Sequence, residues 1–201
     1  MDIQELNQRV ERIYNSVSTL EKKDPLSIKK EIILSNDYQN MSVDFGGKKR
    51  EVELKNLVFS LISNIASIKD YIKAWCIKNG KPFNGDIIIN SNKNVAIVHD
   101  LLNIEKHYEL DKPPRSGCTP KIRNLRQSLQ IFTGPDEGSH ASFTMDPVTG
   151  EMRMETGGSG SVSLRITGEV IDENGKSLGD IFSICSKAIE AWEAELKNLG
   201  V

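Results

Sequence analysis

The sequence predicts an α+β fold: an N-terminal helical part packed beside a four-stranded antiparallel β-meander that is covered by a C-terminal helix. Three observations predict it. Apolar residues recur three and four positions apart up to about residue 110, alternate with polar residues between 121 and 167, and return to helical spacing from about 178 to 199. A period near 3.6 marks an amphipathic helix and a period of 2 a half-buried strand. Helices followed by consecutive strands give an antiparallel sheet with helices gathered to one side. At 201 residues the chain fits a single domain, with 1–110 mainly helical and 111–201 forming the meander and the last helix. A chain of this size buries enough surface to need no covalent staples.

The elements follow in order. Ile3, Leu6, Val10, Ile13, Val17 and Leu20 form a heptad seam of about three repeats. So short a seam favours packing within the chain slightly over dimerisation, and Asp24-Pro25 ends it. Ile32-Ile33-Leu34 and Val43-Asp44-Phe45 read as strands of a small hairpin or an extended crossing segment, followed by a basic turn at Gly46-Gly47-Lys48-Lys49-Arg50. Val58, Leu61, Ile62, Ile65, Ile68, Ile72, Trp75 and Cys76 define a long helix, closed by Asn79-Gly80 and Pro82. A second helix runs from Asn92 to Leu110, before Pro113-Pro114. The first strand, Lys121 to Phe132, turns Leu129 and Ile131 to one face. Ala141, Phe143 and Met145, then Met152 and Met154, alternate with polar residues around the turn Asp146–Gly150. The fourth strand places Val162, Leu164 and Ile166 on one face. The last helix runs from about Leu178 to Leu199, with Ser177 and Asp180 as its capping pair.

Composition narrows the function. Net charge is −2, with 38% hydrophobic and 27% charged residues, which argues against a dedicated DNA-binding protein or a membrane-surface binder. The charge is unevenly spread: five basic residues stand against one acid from Asp111 to Arg126, and five against twelve from Gln127 to Val201. Cys76, Cys118 and Cys185 are odd in number and widely spaced, so neither a disulfide framework nor a zinc site is expected. A reducing cytoplasm and no cofactor are the expectations. The N-terminus has neither the basic nor the apolar region of a signal peptide. Lys69, Asp70 and Lys73 interrupt the longest apolar stretch, which does not span a bilayer.

The strongest candidate for chemistry is the segment His99–His107. At 100° per residue Asp100, Asn103 and His107 fall within about 60° of one another. Asn92, Ala96, His99 and Lys106 widen that arc, while Ile97, Val98, Leu101, Leu102 and Ile104 face away. As a catalytic site this face offers His107 as general acid or base, with His99, Asn103 and Lys106 in support. As a structural feature it is a solvated face or a buried polar network. His99 and His107 lie about 12 Å apart along the axis at 1.5 Å per residue, too far to share one metal ion, and no metal is expected.

The run Asp100-Leu-x-Asn103-x-x-Lys106-His107 resembles a group of uncharacterised bacterial proteins in which an "RDLxNxxKH"-like helix precedes a β-meander and a closing helix. That resemblance covers the last half to two-thirds of the chain and implies no activity. More distantly the motif resembles the HEPN class of helical ribonucleases. There an arginine and, four to six residues later, a histidine act across a dimer on RNA without metal. Only His107 matches the pattern. The arginine's positions hold Asp100, Leu101 and Leu102, and His99 stands one step further out.

Other features weigh less. The basic strip Lys112, Arg115, Lys121, Arg123 and Arg126 would suit a phosphate backbone, but charge balance against the acidic C-terminal half is the preferred reading. Arg115, Lys121, Arg123 and Arg126, with Asp100, are the candidate binding residues. Gly157-Gly158-Ser159-Gly160 lacks the following helix that a phosphate loop needs and reads as a flexible hairpin loop. Cys118, between Arg115 and Lys121, is the one thiol in an electropositive setting, whereas Cys76 and Cys185 belong to apolar stripes. His140 reads as an edge residue. The resulting expectation is a non-catalytic binding or assembly protein, a homo-oligomer such as a dimer, with a protein or RNA partner. The alternative is a metal-independent HEPN-like endoribonuclease using His107, or a degenerate RNA-binding relative.

Overall fold

The computed structural model describes residues 8, 28–34, 39–45, 48–107, 112–146 and 152–200. The heptad seam Ile3–Leu20, the turn 147–150 and the end of the motif helix at Tyr108–Leu110 lie outside them. The fold is α+β, as the change of period implies. Its described elements are strands β1 (Ile28–Leu34) and β2 (Gln39–Phe45), helices α1 (Lys48–Lys78), α2 (Gly85–Ser91) and α3 (Lys93–His107), strands β3 (Lys121–Thr133), β4 (His140–Met145), β5 (Met152–Gly157), β6 (Ser161–Ile171) and β7 (Ser177–Asp180), and helix α4 (Ile181–Asn198). No helix among the described residues is long and apolar enough to cross a membrane.

The chain divides into two compact units. One holds residues 1–19, 55–123 and 168–201, the other 20–54 and 124–167. The change of period at 110/111 is therefore not where contacts divide the chain, because α4 is grouped with the helices that precede the strands.

In the first unit α4 packs on α3 and also touches β7, which leads directly into it, while α2 packs on α3. The stripe expected for α1 is buried from Val58 through Ile72 to Cys76. Ile181, Ile184, Cys185, Ala188, Ile189 and Trp192 are buried along α4. Each such large side chain contributes about 1.5–3 kcal/mol by leaving water. Burial also pushes the Cys76 thiol up, and that of Cys185 up to about 12, as suits cysteines used for packing. Helix α4 starts three residues later than expected. Ser177 lies in β7, and Asp180 alone is the N-cap, accepting from the backbone N–H of Phe182 at 3.0 Å and of Ser183 at 3.1 Å. At the other end of α4, Lys81 Nζ donates to the Leu199 carbonyl and stands 5.0 Å from the centre of the Trp75 ring.

In the second unit β1 and β2 form an antiparallel hairpin, Ile28 opposite Phe45 and Leu34 opposite Gln39, so the hairpin reading of this stretch holds. β2 pairs antiparallel with β3. The strand order is β1-β2-β3-β6-β7, and the pairing of β7 with the last residues of β6 belongs to the first unit. The four expected strands are all present, but they do not run as a simple meander. Among the described residues β4 and β5 pair with each other and with no other strand, as an excursion between β3 and β6. That explains Met154, expected on a buried face and in fact 45% exposed: a two-stranded ribbon has few neighbours to cover it.

The glycine loop is less free than its composition implies. Asp136 accepts from the Ser159 backbone N–H at 2.9 Å and from Ser159 Oγ, and these bonds hold its carboxyl below the usual range. Gly160 donates to the Gly157 carbonyl at 3.0 Å, and a Cβ on Gly160 would drive into the backbone carbonyl of His140. Gly160→Ala should therefore destabilise by about 1–3 kcal/mol, read as a lower urea midpoint with unchanged slope. Unaltered stability would mean that the β4–β5 excursion yields easily at its base.

Candidate functional site

The motif helix α3 begins at Asn92, whose side-chain oxygen accepts from the N–H groups of Asn94 at 3.0 Å and Val95 at 3.2 Å. From there Ile97, Val98 and Leu101 of the expected apolar side are buried, while Leu102 and Ile104 are half-buried. Of the two structural readings of the polar face, Asp100 takes the buried one. That carboxylate is only 2% exposed.

Asp100 is buried because the chain returns to cover it. The turn Pro114-Arg115-Ser116-Gly117 closes with a bond from the Gly117 N–H to the Pro114 carbonyl (3.1 Å), and Gly117 takes φ +77°, which favours glycine. This geometry aims two successive N–H groups at Asp100. Arg115 N–H donates to Oδ1 at 3.1 Å, and Ser116 N–H donates to Oδ2 at 2.8 Å. Ser116 Oγ adds a third bond to Oδ2 at 2.6 Å. The same hydroxyl lies 3.0 Å from the Cys118 carbonyl and 3.7 Å from its Sγ. Its single proton serves the charged oxygen, where the bond is shortest.

Two further carboxylates hold the same loop. Arg115 Nη1 donates to Asp86 Oδ1 at 2.8 Å, with Lys69 Nζ 3.9 Å from that oxygen. The guanidinium holds the Asp86 carboxyl below the usual range. Thr119 N–H donates to Glu173 Oε2 at 2.7 Å. Asp86 is positioned by Asn84, whose side chain caps α2, and by Gly85, where a Cβ would collide with the stem of Lys69.

His99 precedes Asp100 on α3 and feels the charges of the same cluster. Its Nε2 is buried without a hydrogen-bond partner, and its pKa is pushed down to about 4. Burial is the main cause, followed by the charges of Lys69 and Arg115; Asp100 and Asp70 oppose them. The imidazole is therefore neutral near pH 7.

The remaining residues of the motif stand apart from this network. Asn103, Lys106 and His107 are exposed on the last turns of α3, and none makes a side-chain hydrogen bond or ion pair among the described residues. Lys106 and His107 sit where cationic side chains complement a helix C-terminus. Lys121, Arg123 and Arg126 are exposed along β3, with Asn124 between them at φ +52°, a conformation asparagine tolerates better than most residues. Arg115 alone of the expected basic set is drawn into the cluster. Among the described residues no group of three or more His, Cys, Asp or Glu side chains is placed to hold a metal ion.

Sequence reasoning missed Lys69, Asp86, Ser116 and Glu173. Two signals were present in the chain: the Asn84-Gly85-Asp86 helix start and the Pro-x-x-Gly turn at 114–117. Comparison of the chain with models of known protein families, with curated proteins and with solved structures finds no match.

Removing the carboxylate strands three donors at a buried point. Asp100→Ala should cost about 3 kcal/mol and Asp100→Asn about 2, measured by urea unfolding. The exposed control Glu105→Gln should stay within about 0.5 kcal/mol. Equal stability of parent and Asp100→Ala would show that the loop does not depend on this grip.

Proposed function

We propose that the chain is a non-catalytic, cytoplasmic binding or assembly protein that meets its partner, a second copy or another protein, through the exposed C-terminal turns of α3. One observation carries the reading. The polar groups of the motif divide into a set engaged in holding the fold and a set left available at the surface. Asp100 is occupied by three donors, and Arg115 by Asp86. Asn103, Lys106 and His107 are exposed at a helix end whose dipole already favours cationic groups. Three free thiols are in keeping with a reducing compartment.

The exposure of His107 also meets one requirement of a metal-independent, HEPN-like ribonuclease, so the test sets the two readings against each other. Purified protein and its His107→Ala variant, each incubated with mixed RNA in EDTA, should both leave the RNA intact. Light scattering at micromolar concentration should give a mass above that of the monomer. Cleavage by the parent but not by the variant overturns the proposal in favour of the nuclease. A monomer that leaves RNA whole removes self-assembly and leaves a different protein as the partner.

A further inference from the structure

The three carboxylates on the 112–120 loop differ in burial and in neighbours, and the difference bears on how the loop opens. Asp100 grips its backbone from inside, and Glu173 holds its far end at Thr119. Asp86 grips the Arg115 side chain from outside, with both partners largely open to water. Arg115 is thus bonded to the residue beside His99 on α3 and to Asp86 on α2, and its guanidinium and the Lys69 ammonium both act on His99. The charged groups around the imidazole are Lys69 and Asp70 on α1, Asp86 on α2, Asp100 on α3 itself and Arg115 on the loop.

We propose that His99, its Nε2 buried without a partner next to the Asp100 that anchors the 112–120 loop, is an acid-sensitive latch: a proton on its imidazole opens the loop while α3 and α4 remain folded. An imidazolium there would be a third cation beside two others, with its Nε2 buried and without an acceptor. Opening the loop rehydrates His99 and removes Arg115. Asp86, held below the ordinary carboxylate range by Arg115, stays ionised as the pH falls through this window. His99 takes a proton near pH 4 when the loop is closed and near its ordinary value of 6.5 when open. A depressed imidazole pKa stabilises the closed form fully above the open-state value, and that stability is lost as pH falls from about 6.5 toward 4.

Hydrogen exchange with mass spectrometry on the whole chain tests this, with rates corrected for the intrinsic effect of pH. Between pH 7 and pH 5, protection of the Arg115 and Ser116 amides should fall on the order of tenfold, while amides in α3 and α4 keep theirs. In His99→Gln, which does not titrate there, the fall should vanish. Lys69→Met raises the closed-state pKa by removing one cation, so its fall should be smaller than the parent's. That second variant keeps the test open if His99→Gln does not fold. An equal fall in His99→Gln would assign the opening to carboxylates and overturn the proposal. So would simultaneous loss of protection in α3 and α4, which is global acid unfolding.

Discussion

The carboxylate of Asp100 is the constraint on which the described part of the first unit turns. A charge sealed from water is tolerated only where donors replace its hydration, and here the replacements come from one short turn. Two backbone N–H groups and a hydroxyl converge because Gly117 lets the chain bend back at Pro114. The consequence is positional. The start of β3 is delivered from a loop fixed to α3, and Thr119, one residue before the buried Pro120, is fixed in turn by Glu173 after β6. Glu173 belongs to the acidic C-terminal half, but it meets the loop at a backbone amide, and the cation of the strip that is paired, Arg115, is paired with Asp86 of α2.

The helices around this point are built conservatively. Side chains cap α2, α3 and α4 through Asn84, Asn92 and Asp180, each accepting from the first free N–H groups of its helix. Aliphatic stripes then bury one side of α1, α3 and α4. In these elements local capping and burial agree, so each is specified by its own residues, whereas the polar cluster laid across them depends on a turn distant in sequence.

This separation explains what could be read from the chain. Val58–Cys76, Ile181–Trp192 and the alternation in β3 and β6 announce themselves, because periodicity is local and burial follows it. The arc of Asp100, Asn103 and His107 was correct as an angle and incomplete as a statement of environment. A helical wheel gives the direction of a side chain but not whether a turn fifteen residues later will cover it. The same limit separated β4 and β5 from the meander. Alternation identifies strands, whereas pairing depends on loops such as Gly134–Ser139 and Gly157–Gly160, whose Asp136–Ser159 bond joins positions 23 apart. The short β7 and α2 carry too few residues for a period to show.

The motif His99–His107 thus divides between two tasks by depth alone. Near its first turn the helix lies under the loop, so polar residues there must be satisfied internally or stay neutral. Asp100 does the first, with three donors; His99 does the second, its pKa lowered to about 4 by burial and by Lys69 and Arg115. One to two turns on, Asn103, Lys106 and His107 are exposed, with nothing in the described structure demanding those particular side chains. The side chains of the motif that the described fold does not engage lie at the end of α3, and the proposed binding surface is therefore there and not at its more elaborate, and more occupied, middle.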